Sequence, residues 1–143
     1  DLAVRFSKCC SPVPGDEIVG FVTRGRGITI HRTDCINVLN LPEIERSRLI
    51  DAEWQGVEED SSAATYTTEI SIFANNRIGM FVDISKIFTE REIDIKTMNS
   101  RVNKQGKATI TMSFDIHGIE ELNNLMAKLR QIDGVLDIER TTG

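Results

Sequence analysis

The sequence contains no long hydrophobic run, since none of its apolar stretches approaches the ~20 residues that a membrane-spanning helix needs. No signal peptide opens the chain. Both absences favour a cytoplasmic protein with no membrane partner. The chain starts at Asp1 in a segment of strand-like composition, and we therefore expect it to be a piece of a longer protein.

Cysteine is scarce, with three residues in 143, of which Cys9 and Cys10 are adjacent. An odd number of cysteines makes a poor disulfide framework and is typical of a reducing cytosol. The chain also lacks a P-loop, a His–Asp metal pair and a Ser/His/Asp set. We therefore expect no catalytic site within these 143 residues.

Basic residues are outnumbered by acidic ones. The formal net charge is −5, with seven basic against eight acidic side chains in residues 1–54 and ten against fourteen in residues 55–143. This balance argues against a protein that binds nucleic acid by bulk charge alone. Hydrophobic residues make up 40% of the chain, which predicts a packed core rather than disorder.

A polar, acidic stretch over residues 55–64 divides the sequence into two halves. We assign residues 1–57 to a first domain, 58–65 to a linker and 66–143 to a second domain. The first half has short strand-like segments, a stiff proline turn over 10–16, and a helix over 35–39 that Thr33-Asp34 is expected to start. A domain of about fifty residues is marginal on a hydrophobic core alone.

The second half has clearer periodicities. Residues 66–74 and 108–116 alternate as half-buried strands do, and residues 93–102 are extended and less apolar. Phe81, Ile84, Ile87 and Phe88 share one helical face, and a second helix carries Leu122, Leu125, Met126 and Leu129. With a last strand at 135–140, the order βαββαβ predicts an antiparallel sheet with both helices on one face. The chain is therefore predicted to be α+β.

Three constellations are candidates for function. Cys9, Cys10, His31 and Cys35 form either a tetrahedral zinc set or buried thiols with a satisfied histidine. Arg24, Arg26 and Arg32 form either an RNA-backbone patch or a solvated hairpin tip. The turn at 76–80 is either a ligand site, with free N–H groups at a helix start, or a plain strand–helix connection.

The chain resembles two known domains found in tandem. Residues 66–143 resemble an ACT domain, a small-ligand regulatory module, on the turn Asn76-Arg77-Ile78-Gly79-Met80 and the ending Gly134-Val135 with Glu139-Arg140. Residues 3–54 resemble the zinc-finger-like, conserved-cysteine domain that precedes the ACT domain in long RelA/SpoT-type (p)ppGpp synthetases/hydrolases. The matching segments are Lys8–Asp16, Gly25–Arg32 and Asp34-Cys35.

The resemblance implies a regulatory fragment of a GTP pyrophosphokinase, with the catalytic domains N-terminal to it. It implies structural zinc on the cysteine–histidine set, contact with ribosomal RNA through the arginines, and an ACT homodimer. A branched-chain amino acid would bind where the turn meets the edge strand of a second copy, with Met98 and Asn99 on that edge. Two other interpretations are an amino-acid-binding ACT module of a different metabolic enzyme and a small zinc-dependent RNA-binding protein.

Overall fold

The computed structural model describes residues 3–54 and 64–141, so that most of the predicted linker at 58–65 lies outside the described residues. Within these ranges, two four-stranded sheets and their helices confirm the α+β class. None of the described helices is long and apolar enough to cross a membrane.

The N-terminal sheet has the strand order β1-β3-β2-β4. Strand β1 is parallel to β3, and the other neighbours are antiparallel. A short helix and a 3-10 helix connect β3 to β4. The elements are β1 (Val4–Phe6), β2 (Ile18–Val22), β3 (Ile28–Arg32), α1 (Ile36–Leu39), the 3-10 helix (Glu43–Arg48) and β4 (Leu49–Asp51).

The N-terminal half has a very small apolar core of its own, centred on Cys10, Cys35 and Val38. The predicted start of α1 at Thr33-Asp34 is wrong by a residue or two, because Cys35 is the residue that precedes the helix and it caps it with no side-chain hydrogen bond. The Asp34 carboxylate accepts from the Arg32 guanidinium at 2.6 Å instead.

The C-terminal sheet is antiparallel throughout, in the order β6-β7-β5-β8, with helices α2 and α3 contributing to the same apolar core. This is the predicted βαββαβ arrangement, and β6 is an edge strand as expected. The elements are β5 (Tyr66–Asn75), α2 (Met80–Glu90), β6 (Ile95–Val102), β7 (Lys107–Ile116), α3 (Ile119–Arg130) and β8 (Val135–Arg140).

The core of the C-terminal sheet follows the predicted periodicities with one exception. The alternating residues of β7 and the four apolar residues of α3 are buried as predicted. Phe81, however, is 39% exposed, and the buried face of α2 runs through Met80, Ile84 and Phe88. These buried residues are four apart, so that Phe81 lies beside the stripe that faces the sheet.

Candidate functional site

The candidate metal ligands converge in the N-terminal half. One ligand atom from each of Cys9, Cys10, His31 and Cys35 lies within 4.8 Å of every other. Cys9 Sγ is 3.4 Å from Cys35 Sγ and 3.5 Å from His31 Nδ1, and Cys10 Sγ is 3.9 Å from that nitrogen. The four residues grouped from sequence therefore lie together in an arrangement that a metal ion would fit.

The local fold explains how adjacent cysteines can face one point. In a strand, successive side chains point to opposite faces. Strand β1 ends at Phe6, and residues 8–10 form a turn, so that both thiols reach the cluster. His31 comes from β3, and Cys35 immediately precedes α1.

The distances suit a tetrahedral zinc ion. With Zn–S of ~2.3 Å and Zn–N of ~2.0–2.1 Å, ligand atoms around the ion are separated by roughly 3.5–3.8 Å. The observed separations bracket that value, and three thiolates with one imidazole form a common structural zinc set. Cys10 and Cys35 are buried, which suits a closed structural site rather than a catalytic one.

The surroundings set the protonation of the metal-free cluster. Burial raises the pKa of the Cys10 thiol to about 12 and raises the pKa of Cys35 above its ordinary value. Burial also acts to raise the pKa of Cys9, but hydrogen bonds, that of Ser7 foremost, outweigh it and lower that pKa. Burial lowers the pKa of His31, which favours the neutral imidazole that binds metals.

The predicted ligand turn has the expected backbone form. Gly79 has φ +86°, a left-handed conformation that favours glycine, and it immediately precedes α2. Ile78 is fully exposed, while the Met80 side chain is buried in the core. The Met80 N–H donates to the Arg77 carbonyl at 3.3 Å. Both the side chain and the N–H of Met80 are therefore engaged within the protein.

The Arg77 side chain stabilises the turn through hydrogen bonds to three nearby residues. Its guanidinium donates to the Asp133 carbonyl at 2.8 Å, to the Ile78 carbonyl at 3.1 Å and to the Asp83 carboxylate at 2.7 Å. Asn76 is exposed, and its backbone N–H donates to the Gly106 carbonyl at 2.7 Å. These bonds fix the turn against the β6–β7 hairpin and the start of β8.

Met98 and Asn99 lie on opposite faces of the edge strand β6. Met98 pairs with the buried Met112 and therefore faces the helix side, where it is 40% exposed. Asn99 pairs with Thr111 on the open face. A single ligand held beside β6 would contact one of these side chains more readily than both.

The structure separates the three candidate RNA contacts. Arg24 and Arg26 are exposed at the tip of the β2–β3 hairpin. Arg32 is buried, at 7% exposure, and its guanidinium is bonded to the Cys10 and Thr141 carbonyls and to Asp34. The patch predicted from sequence therefore consists of two exposed arginines, because a buried guanidinium with three internal acceptors cannot face RNA.

Sequence reasoning gave no role to two residues, Ser7, which contacts the metal cluster, and Asp16, which lies further along the chain. Ser7 Oγ lies 2.7 Å from Cys9 Sγ. Asp16, six residues after Cys10, forms a buried ion pair with Arg140 at 2.7 Å. Ser7 falls two residues before Cys9, a spacing that could have suggested it, whereas no local pattern links Asp16 to a residue 124 positions away.

Comparison with known proteins agrees with this architecture. The RelA/SpoT RIS domain model matches residues 1–55, and the ACT domain model matches residues 62–140. The GTP pyrophosphokinase of Escherichia coli (strain K12) is 37% identical over 144 residues, covering 100% of this chain and 19% of the relative. That of Streptomyces coelicolor is 30% identical over 142 residues, covering 99% and 16%.

Among solved structures, the ACT domain from GTP pyrophosphokinase of Chlorobium tepidum is 26% identical, with a TM-score of 0.48, and the match covers 54% of this chain and 99% of that one. The chain spans about a fifth of the length of the curated relatives and corresponds to their C-terminal region. The two family models and the curated relatives confirm the resemblance drawn from sequence and support the first of its three interpretations over the other two.

Proposed function

We propose that this chain regulates a cytoplasmic (p)ppGpp synthetase or hydrolase of which it is part. The chain belongs to the ACT domain family and carries a RelA/SpoT RIS domain ahead of its ACT domain. The observation that carries the proposal is the pairing of a compact Cys₃His cluster with an ACT turn in one chain. The parent would transfer pyrophosphate from ATP to GDP or GTP through domains outside these residues.

In this proposal, zinc on the Cys9, Cys10, His31 and Cys35 side chains is structural. When bound, it supplies a crosslink that holds β1, β3 and α1 together, which the small apolar core of this half needs. The lowered pKa values of His31 and Cys9 favour metal binding at these two ligands, while zinc must displace the protons of Cys10 and Cys35.

A branched-chain amino acid would bind at the ACT turn. Its carboxylate would face the N–H groups of Ile78 and Gly79, at the positive end of α2. Its side chain would contact Ile78 of one copy and Met98 on the edge strand of another. Calorimetry with valine, leucine and isoleucine should give a dissociation constant of roughly 10 µM to 1 mM.

The exposed side chain of Ile78 offers a clean test of that site. Ile78→Ser should abolish the calorimetric signal and leave the thermal midpoint unchanged, because this side chain is fully exposed and packs against nothing. Ile44→Ser is the matched control, since Ile44 is 84% exposed on the 3-10 helix of the other half. Silence for all three amino acids, or full binding by Ile78→Ser, would refute an amino-acid site at the turn.

Ribosomal RNA would bind the β2–β3 hairpin tip. Arg24→Ala and Arg26→Ala should each weaken binding to a ribosomal RNA fragment and each lower the slope of log affinity against log salt by about 1. Lys86→Ala on α2 is the control and should change neither quantity. Equal slopes for all four proteins would remove the hairpin from the interface.

The chain alone should not make (p)ppGpp. Incubation with ATP and GDP followed by chromatography should give no product above a buffer control. The full-length parent should synthesise the product, and deletion of these 143 residues should change how its rate responds to ribosomes or amino acids. A rate response that survives the deletion would contradict the regulatory role.

A further inference from the structure

The loop that carries two candidate metal ligands is also the segment that packs on the C-terminal sheet. We call residues 9–16 the cysteine–proline loop. Val13 in this loop is fully buried within the core of the C-terminal sheet. The Pro14 carbonyl accepts the Ile119 N–H at 2.8 Å, at the start of α3. One short loop therefore joins the metal cluster to the ACT domain.

A buried ion pair fastens that loop. The Arg140 guanidinium donates to both carboxylate oxygens of Asp16, at 2.7 and 2.9 Å, and to the Ser11 carbonyl at 3.3 Å. The two side chains are 10% and 8% exposed. The same Asp16 carboxylate accepts the Val13 N–H at 2.8 Å. Removing either partner would leave a buried charge unpaired, which is strongly unfavourable.

A second arginine holds the metal ligand itself. The Arg32 backbone N–H lies 3.3 Å from Cys10 Sγ, and its guanidinium donates to the Cys10 carbonyl at 3.3 Å and to the Thr141 carbonyl at 3.2 Å. Thr141 directly follows β8. Cys10 is thus tied to the end of the ACT domain through Arg32 and through the loop that Arg140 anchors.

The only tryptophan of the chain reports on this junction. Trp54 stacks on Phe6 at 5.4 Å between ring centroids and meets the edge of Tyr66 at 5.7 Å. Its Nε1–H donates to the Asp16 carbonyl at 3.0 Å. Trp54 therefore joins β1 to the first residue of β5.

We propose that metal binding at the cysteine–histidine cluster and docking of the ACT domain are energetically coupled through the cysteine–proline loop, with Asp16 and Arg140 as the positioning residues. The proposal rests on the zinc centre proposed above. Metal would fix Cys9 and Cys10 and so fix the loop for docking. By thermodynamic reciprocity, docking would raise the affinity for metal by the same factor.

The first measurement is the zinc affinity of the 143-residue chain, by competition with a chromophoric chelator. Arg140→Met removes the ion pair and should weaken zinc binding roughly 5- to 150-fold, the usual range of coupling between two sites. Arg140→Lys, which keeps one charge-assisted bond, should recover part of the loss. The Co²⁺-loaded Arg140→Met protein should keep tetrahedral absorption bands, because all four ligands remain.

Two matched controls separate coupling from general destabilisation. Arg130→Met removes a guanidinium from α3 that bonds the Ile138 carbonyl and, within the described residues, makes no hydrogen bond to the loop. Ile84→Val loosens the same ACT core from α2 and not from the loop. Both should bind zinc as the parent chain does.

The second measurement is the emission of Trp54 during zinc titration. Zinc should shift the emission to the blue in the parent chain, as the loop docks, and should shift it much less in Arg140→Met. If Arg140→Met does not fold, Gly118→Ala takes its place, since a Cβ there would lie 3.1 Å from the Pro14 carbonyl and press on the loop alone.

Unchanged zinc affinity in Arg140→Met, or in Gly118→Ala if it is the folded variant, would overturn the coupling. So would a Trp54 emission that zinc does not alter. A parent chain that binds no zinc would overturn the coupling together with the zinc centre, while the amino-acid and RNA proposals would stand on their own tests.

Discussion

Single residues in this chain carry distinct kinds of constraint. Gly79 is fixed by its backbone conformation, Arg32 by its internal acceptors and Cys10 by its position in the cluster. Ile78, fully exposed beside Gly79, has no structural constraint of this kind. Exposure without packing is what leaves Ile78 available for a ligand or a second copy.

Zinc affinity should rise with pH. In the metal-free protein, the raised pKa values of Cys10, about 12, and of Cys35 keep both thiols protonated at pH 7. Zinc binding must release those protons, so the logarithm of the affinity should rise by at least about two per pH unit between pH 7 and 8. Calorimetry in buffers of different ionisation enthalpy measures the released protons directly.

Cys35→Ser provides the comparison for that experiment. It removes one titrating thiol and should release about one proton fewer for each zinc bound, with weaker binding overall. An affinity that does not change with pH would mean that the thiols are already deprotonated, or that they are not the ligands.

Gly15 should tolerate no side chain. Its φ is +103°, and a Cβ there would lie 2.1 Å from Ile119 Cγ2 across the junction. Gly15→Ala should lower the free energy of unfolding by about 1–3 kcal/mol, from backbone strain and overpacking. Gly25→Ala, with φ +84° and no atom of the described residues beyond its chain neighbours within 4 Å of the new Cβ, should show the backbone cost alone. If urea unfolding gave equal losses of stability for Gly15→Ala and Gly25→Ala, the contact with Ile119 would add no cost.

At the scale of elements, β6 is one of the two edges of the ACT sheet. It is an edge strand, and its partner β7 covers one side only. Met98 and Val102 on this strand are 40% and 51% exposed on the helix side. An edge with unpaired backbone groups and apolar side chains is suited to pairing with a second copy.

The chain should therefore dimerise through β6. Light scattering at ~100 µM, above typical weak association constants, should give the mass of a dimer. Met98→Lys should give a monomer of unchanged stability, because an exposed edge lysine opposes strand pairing. Leu136→Lys on β8, at 57% exposure on the opposite edge, is the control and should stay dimeric. A monomeric parent chain at that concentration would contradict a dimer formed at this edge.

At the scale of the whole molecule, periodic segments were predictable and contacts between halves were not. The alternation of β7 and the leucine face of α3 correctly identify buried residues, because periodicity reflects one covered face. The exposure of Phe81 was not predictable, because the spacing of Phe81, Ile84 and Phe88 fits a helical face as well as the observed spacing of Met80, Ile84 and Phe88 does. The burial of Arg32 depended on acceptors at Cys10 and Thr141, the latter 109 residues away, and no local pattern encodes them.

For the candidate site too, residue identities were predictable from sequence and long-range contacts were not. The four metal ligands could be named from residue type and spacing, since thiols and an imidazole are a small set. Their connection to the ACT domain through Asp16 and Arg140 could not, because charged residues of both signs occur throughout both halves.

Hydrogen exchange of the 143-residue chain with and without zinc tests the central claim most directly, namely that a metal-stabilised cysteine domain is docked on an ACT domain. Zinc should slow exchange across residues 3–54 and at the Ile119 amide, which donates to Pro14, and should hardly change the amides of β7. Cys35→Ser should remove that protection. Exchange that zinc leaves unchanged throughout residues 3–54 would contradict the account.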